Sequence, residues 1–367
     1  MPKAMTTILS LDRASGAPLA RAERLPIADD KAMLRTAADL TRDLNQPNPR
    51  IYWLDLIASA LVGYGAGAAA ILADSAGWAI LAGVVATLAL YRAISFIHEV
   101  SHIKHAALPG FRLGWNALVG VPMLTPSFMY EGVHNQHHAK TRYGTADDPE
   151  YLPLALMKPW TLPTFILLSA LAPLGLVVRF AVLAPLSALF PAFRRVVIAR
   201  FSSLSINPQF RRRPADGEFA RHWVRVETAA SIWAIALVAL VATGVLPLRA
   251  LAIMLAIFAG VAVINQVRTL VAHLWENEGE AMSVTAQYLD TVNVPPPAML
   301  PMLWAPVGLR YHALHHLLPG VPYHNLGEAH RRLSDVLEAD SPYHKASYAG
   351  LPGLVWRITR STMGGAR

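Results

Sequence analysis

The residues best suited to chemistry in this chain are histidines, and they are clustered. His134-Asn135-Gln136-His137-His138 carries three imidazoles in five positions. On a helix, positions i, i+3 and i+4 share one face, so these three rings would enter one small volume. The spacing recurs at His312-Ala313-Leu314-His315-His316, and His98-Glu99-Val100-Ser101-His102 places a pair four residues apart. Together the three clusters hold eight of the fourteen histidines. Neutral imidazole is the commonest metal ligand, and a shared metal gives such crowding a reason.

Composition limits what that metal can be and where it sits. With no cysteine, thiolate sites, Fe–S clusters and disulfides are excluded, leaving nitrogen and oxygen ligands. The 367 residues are 54% hydrophobic and only 15% charged, and the mean hydropathy is +0.36. This is too apolar for an ordinary soluble domain. The net charge of +8 is scattered between apolar runs. It suits loops facing anionic lipid and not a nucleic-acid surface. The first thirty residues hold no apolar signal-peptide core.

The elements that must position the histidines follow from the apolar runs. Residues 1–50 read as a polar cytoplasmic arm, with a surface helix over 28–44 broken at Asn45 to Pro49. Four runs have the length of a membrane crossing: 51–73, 77–97, 228–246 and 250–272. Residues 160–193 are apolar but interrupted by Pro163, Pro173, Pro185, Pro191 and Arg179. They are expected to lie in the interface or to form a short re-entrant hairpin, since one full crossing would strand the third cluster on the far side. Residues 51–340 thus form one membrane domain, followed by an interfacial or cytoplasmic tail over 341–367. The expected fold is all-α: four transmembrane helices and a cytosolic helical cap holding a histidine-rich di-metal site. Few basic residues fall in the two outer turns and many on the inner side, which places both termini and every cluster in the cytoplasm, with a bacterial inner membrane as the expected setting.

Near the end of the fourth run, Asn265, Thr269 and His273 form a polar stripe aimed at the depth of the clusters. His273 raises the candidate ligands to nine, too many for one metal and suitable for two. All-nitrogen ligation suits iron, copper or zinc. A pair of irons at one membrane edge would permit O2-dependent attack on a C–H bond of an acyl chain entering from the bilayer.

The order and spacing HEVSH, HNQHH and HALHH resemble the membrane fatty acid desaturase and hydroxylase superfamily over residues 50–340. That resemblance implies a four-span cap-and-stem bundle and a cytosolic di-iron centre using O2. It implies iron ligation by His98, His102, His134, His137, His138, His273, His312, His315 and His316. An asparagine one turn before the fourth-span histidine takes part through water in one branch. Here Thr269 occupies that turn, with Asn265 further back. His105, His222, His324, His330 and His344 read as structural, His324 with a possible supporting role. Glu99, Asp147 and Asp148 are candidates to orient ligand rings. No HPGG motif or fused cytochrome segment is present, so a separate ferredoxin, rubredoxin or cytochrome is the expected electron donor. The basic surface would suit an acidic carrier.

The resemblance puts desaturation of a membrane lipid acyl chain first, with hydroxylation or carotenoid oxygenation as the alternative. HEVSH also matches the zinc-peptidase pattern HExxH, with Glu99 as base and Asp290 as a loose third ligand, but that leaves both HxxHH boxes idle. A metal transporter would want ligands on both sides of the bilayer.

Overall fold

The computed structural model describes residues 27–154 and 157–363. The first 26 residues of the expected arm lie outside the described residues. Among the described residues, extended pairing is confined to isolated bridges. The principal helices are α1 (Lys31–Leu40), α2 (Pro49–Leu72), α3 (Ala76–His102), α4 (His134–His137), α5 (Ala172–Leu189) and α6 (Pro191–Phe201). They continue with α7 (Gly217–Ala242), α8 (Leu248–Ala272), α9 (Val284–Asp290), α10 (His312–Leu317), α11 (Leu326–Val336) and α12 (Leu351–Met363).

Five of these, α2, α3, α5, α7 and α8, are long and apolar enough to cross a membrane. Four correspond to the four expected spans. Their outer faces expose large apolar side chains such as Leu54, Leu61, Trp78, Ile80 and Ile232, as lipid contact requires. Local sequence sets the helix starts. The Asn48 side chain accepts from Arg50 N with Pro49 at the first helical position, and Ser75 Oγ caps α3 through Trp78 N. Gly63 lets α2 and α3 close, since a Cβ there would lie 2.7 Å from Leu90. A half-buried polar latch joins them toward the histidine end: Arg92 Nε donates to Asp55 Oδ1 at 2.7 Å, and Tyr323 Oη to Asp55 Oδ2 at 2.7 Å.

Two spans start or end differently from the apolar runs. The second continues through the whole first histidine cluster to His102. The third begins at Gly217, because Glu227, which breaks the apolar pattern, is buried against Arg179 and Arg194. Tertiary pairing thereby satisfies a charge that hydropathy alone counts against the helix.

Residues 160–193, expected at the interface, contain α5, the fifth helix of sufficient length and apolarity. It does not run on alone. Arg179 Nε donates to Phe201 O at 2.6 Å and Arg194 Nη1 to Ser187 Oγ at 3.2 Å, so α5 and α6 fold against each other as a hairpin. Leu204 N then donates to Met129 O, and Arg212 Nη2 to Glu131 O. The excursion therefore returns to the segment just before α4, keeping the clusters together.

The cap is built from α1, α9, α10 and α11. Met33 and Ala37 of α1 are buried with Ala329 and Leu333 of α11, so the arm's helix is docked, not merely a surface helix. In α12, Leu354 and Ile358 pack with Leu270 and Val271 at the end of α8, while Trp356 remains exposed.

Candidate metal centre

The nine histidines come from four places: the last turn of α3, α4 and its C-cap, the residue after α8, and α10. They assemble into two groups. His98, His102, His134, His138 and His315 form one; His137, His273, His312 and His316 form the other. Within each group the candidate ligand atoms lie within 4.8 Å of one another. All but His102 and His138 are buried as whole residues, and those two are partly so.

Each HxxHH box divides between the groups. His134 and His138 serve the first while His137 turns to the second; His312 and His316 serve the second while His315 turns to the first. The expectation of one shared volume is met at the level of the cluster, with ring centroids of the second box 4.6–5.8 Å apart. A short segment follows from this, since α4 is a single turn whose C-cap is His138.

His273 and His312 are set by a small extended framework. The chain leaves α8 in an extended conformation at His273, which bridges Thr291, while Asn293 bridges Tyr311. Val292 N donates to Ala272 O at 3.0 Å and Ala313 N to Val292 O at 3.2 Å. The result brings His273 Nε2 to 3.0 Å from His312 Nε2.

Outer partners fix the ring orientation. Asp148, fully buried, sets both carboxylate oxygens 2.9–3.0 Å from His137 Nδ1. It also accepts from Gly144 N and Glu150 N. Glu150 Oε1 lies 2.8 Å from His134 Nδ1, and Tyr130 Oη, also 2.8 Å from that nitrogen, donates to Glu150 Oε2. Tyr143 Oη links His273 Nδ1 at 2.8 Å to Asp290 Oδ2 at 2.7 Å. Each partner occupies Nδ1 and leaves Nε2 facing the group, the tautomer a metal needs.

Of the three carboxylates singled out by sequence, only Asp148 takes this role fully. Glu99 Oε1 lies 3.5 Å from His98 Nδ1 and its other oxygen is occupied by Tyr52 Oη and Tyr323 N. Asp147 is exposed. Glu150, Tyr130, Tyr143 and Asp290 were not legible as partners, because each reaches its ring across a turn or from another element. His324 contacts Asn48 N and Asn325. His105 and His222 face Glu131 instead. With Glu99 bonded to Tyr52 and Tyr323, and Asp290 reaching His273 only through Tyr143, the peptidase arrangement is not supported.

Electrostatics agree with ligation. Burial pushes His134, His138, His312, His315 and His316 well below the ordinary imidazole range, so their lone pairs are free. Burial also opposes a proton on His137, but the Asp148 carboxylate outweighs it and holds that ring above the ordinary value. Burial raises Glu150 and Asp290 to about 7, against hydrogen bonds from their tyrosines and, for Glu150, the charge of His137.

The fit to metal ions rests on nitrogen spacing. Nε2 atoms of His102 and His315, His134 and His138, His138 and His315, and His312 and His316 stand 3.0–3.2 Å apart. Where an outer partner fixes the proton on Nδ1, as for His134 and His273, the Nε2 lone pair faces its neighbour's Nε2, as two ligands of one cation do. Metal–nitrogen bonds of ~2.1 Å at right angles separate two nitrogens by about 3.0 Å. Both nitrogens of His98 and Nδ1 of His312 and His316 are buried without a hydrogen-bond partner. The donor set therefore fits two metal ions held by imidazole.

Residues 76–348 match the family described as fatty acid desaturase. The chain is 51% identical over 324 residues to a protein of Caulobacter vibrioides (strain NA1000 / CB15N) named ceramide hydroxylase, covering 88% of this chain and 92% of that one. No solved structure matches. With all three histidine boxes inside the matched region and gathered into two groups, this chain belongs to the fatty acid desaturase family, within the membrane desaturase and hydroxylase superfamily.

Proposed function

We propose that this chain is an O2-dependent membrane lipid hydroxylase acting on a ceramide-type lipid. One observation carries the choice: the near full-length, 51% identical relative is named a ceramide hydroxylase. Histidine groups of this kind serve desaturation as well, so the donor set does not separate the two reactions. The relative favours the reading that sequence placed second, hydroxylation, over desaturation.

The groups would hold two irons, one by His98, His102, His134, His138 and His315 and the other by His137, His273, His312 and His316. When bound, such irons supply the activation of O2 toward an unactivated C–H bond. The balance is a C–H bond, O2, two electrons and two protons giving a C–OH group and water. The electrons come from a separate carrier: a ferredoxin, rubredoxin or cytochrome.

The protein's own contribution is preorganisation. Asp148, Glu150 and Tyr143 fix ring orientation from outside, so the Nε2 atoms need not reorganise. Burial keeps water from the centre and favours the neutral form of His134, His138, His312, His315 and His316. The turn at Ala73 to Ser75 has no basic residue and the one before α8 has none either, with Arg249 in the first turn of α8, whereas basic residues gather toward the histidine end. This asymmetry supports a cytoplasmic active site.

The deciding experiment is lipid mass spectrometry of cells expressing the chain, with His312→Ala as control. A gain of one oxygen in ceramide, absent in the control, supports the proposal. A loss of two hydrogens instead returns desaturation as the reaction.

A further inference from the structure

A second polar feature lies just behind the four-histidine group. A small cleft is lined by Arg268, Val271 and Ala272 of α8, with Val292, Leu309 and Trp304 opposite. Its enclosed part is about 10 Å³, room for one water or one carbonyl oxygen. Two hydrogen-bond donors at this cleft, Arg268 Nε and Trp304 Nε1, are buried and have no partner among the described residues. Neither of these N–H groups can accept a hydrogen bond, so each calls for an acceptor atom. Leaving two such donors unpaired is costly and calls for an explanation.

The surroundings indicate where that oxygen comes from. Trp304 ends a helical turn, Pro301–Trp304, whose neighbours Met299, Leu300, Met302 and Leu303 are 50–71% exposed. In a membrane protein that apolar rim faces lipid. Tyr91 Oη of α3 donates to Trp304 O at 2.9 Å, tying the rim to the bundle. Elsewhere in the lining, Ala272 is the residue before His273, and Val292 O accepts from the residue after His312. The cleft thus touches lipid-facing structure at one end and the backbone of two candidate ligands at the other.

We propose that Arg268 and Trp304 form the acceptor site for the amide carbonyl oxygen of the lipid substrate. This rests on the ceramide reading above and deepens it. A carbonyl has two lone pairs and takes both N–H groups at once. A charged donor and a neutral one lining the same cleft favour an amide over a plain hydrocarbon or an ester of weaker acceptor strength. Both residues are positioning residues: they hold the lipid and touch no reacting carbon.

The test compares an N-acyl sphingoid lipid with its thioamide, in which a larger and weaker-accepting sulfur replaces the carbonyl oxygen and charge is kept; the Trp304→Phe arm below separates acceptor strength from size. Binding is measured in nanodiscs with the metal-loaded, unreduced enzyme, so no turnover is needed. The wild type should bind the amide about fivefold or more tightly than the thioamide. Trp304→Phe should weaken amide binding about fivefold, and Arg268→Met about tenfold or more, with the thioamide changed less than about twofold. Arg268→Lys should recover part of the loss. Metal content should be unchanged in Trp304→Phe, whose ring fills the same space, which separates binding from a folding defect. Equal wild-type affinity for the two lipids overturns the assignment, as does a preference that survives Trp304→Phe; either means the donors bind only a structural water. Product analysis in parallel separates the two claims. Absence of oxygenated ceramide with the amide preference intact removes the reaction and leaves the binding site.

Discussion

Asp148→Asn tests how far outer-sphere hydrogen bonds govern the metal centre. The buried carboxylate accepts from three N–H groups: His137 Nδ1, Gly144 N and Glu150 N. An amide of the same size offers one oxygen and one NH2, so at least one of the three donors must face another donor. One lost buried hydrogen bond costs about 1–3 kcal/mol. The ring also loses the negative charge that raises its basicity. Removal of such a partner lowers metal affinity roughly 10–100-fold, or about 1.4–2.7 kcal/mol. Because His137 belongs to the four-histidine group, the loss should be confined there. Graded chelator competition, with metal counted per chain, should show one of two ions leaving at correspondingly weaker chelation in D148N. An unchanged chelator curve, or loss from the five-histidine group alone, refutes the reasoning.

Four further outcomes follow from the same geometry. His98→Ala and His312→Ala each remove a ligand from a different group, so metal content should fall from two ions to about one and product formation should stop; elemental analysis with lipid mass spectrometry checks both. Tyr143→Phe cuts the link between His273 Nδ1 and Asp290, and should weaken the four-histidine group about tenfold in the chelator assay. Gly144→Ala forces a φ of +71° on a residue with a Cβ that would lie 2.5 Å from Asn277 Nδ2, and should lower stability by about 1–3 kcal/mol in thermal unfolding. Hydrogen bonds from Arg331 and Arg332 hold the Glu328 carboxyl at about 2, below its ordinary 4.5. Its folded-state pKa is depressed, so its contribution is fully present above pH 4.5 and lost as pH falls toward 2. Melting temperature across that window should fall less steeply in Arg332→Met.

What the sequence revealed was periodic and local. The apolar runs located four of the long helices, and three boxes named eight of the nine grouped histidines. His273 came from a polar stripe on an apolar helix. The division of each HxxHH box between two groups was hidden, because spacing fixes a shared face but not which neighbour a ring turns toward. Hydropathy misplaced the start of α7, since Glu227 is neutralised by arginines 33 and 48 residues away in the chain. Glu150 and Tyr143 look like ordinary loop residues until the loop folds back on α4 and His273. Asp290, offered as a peptidase ligand, instead supports His273 through a tyrosine.

The split of both boxes bears on how the enzyme matures. Each ligand set needs residues from α10, so one is incomplete until the chain has been synthesised through His315 and the other through His316. The earlier spans must already stand side by side in the bilayer, presenting half-built pockets. Metal loading would then be a late event of biogenesis, with the two sites sharing the turns that carry their ligands.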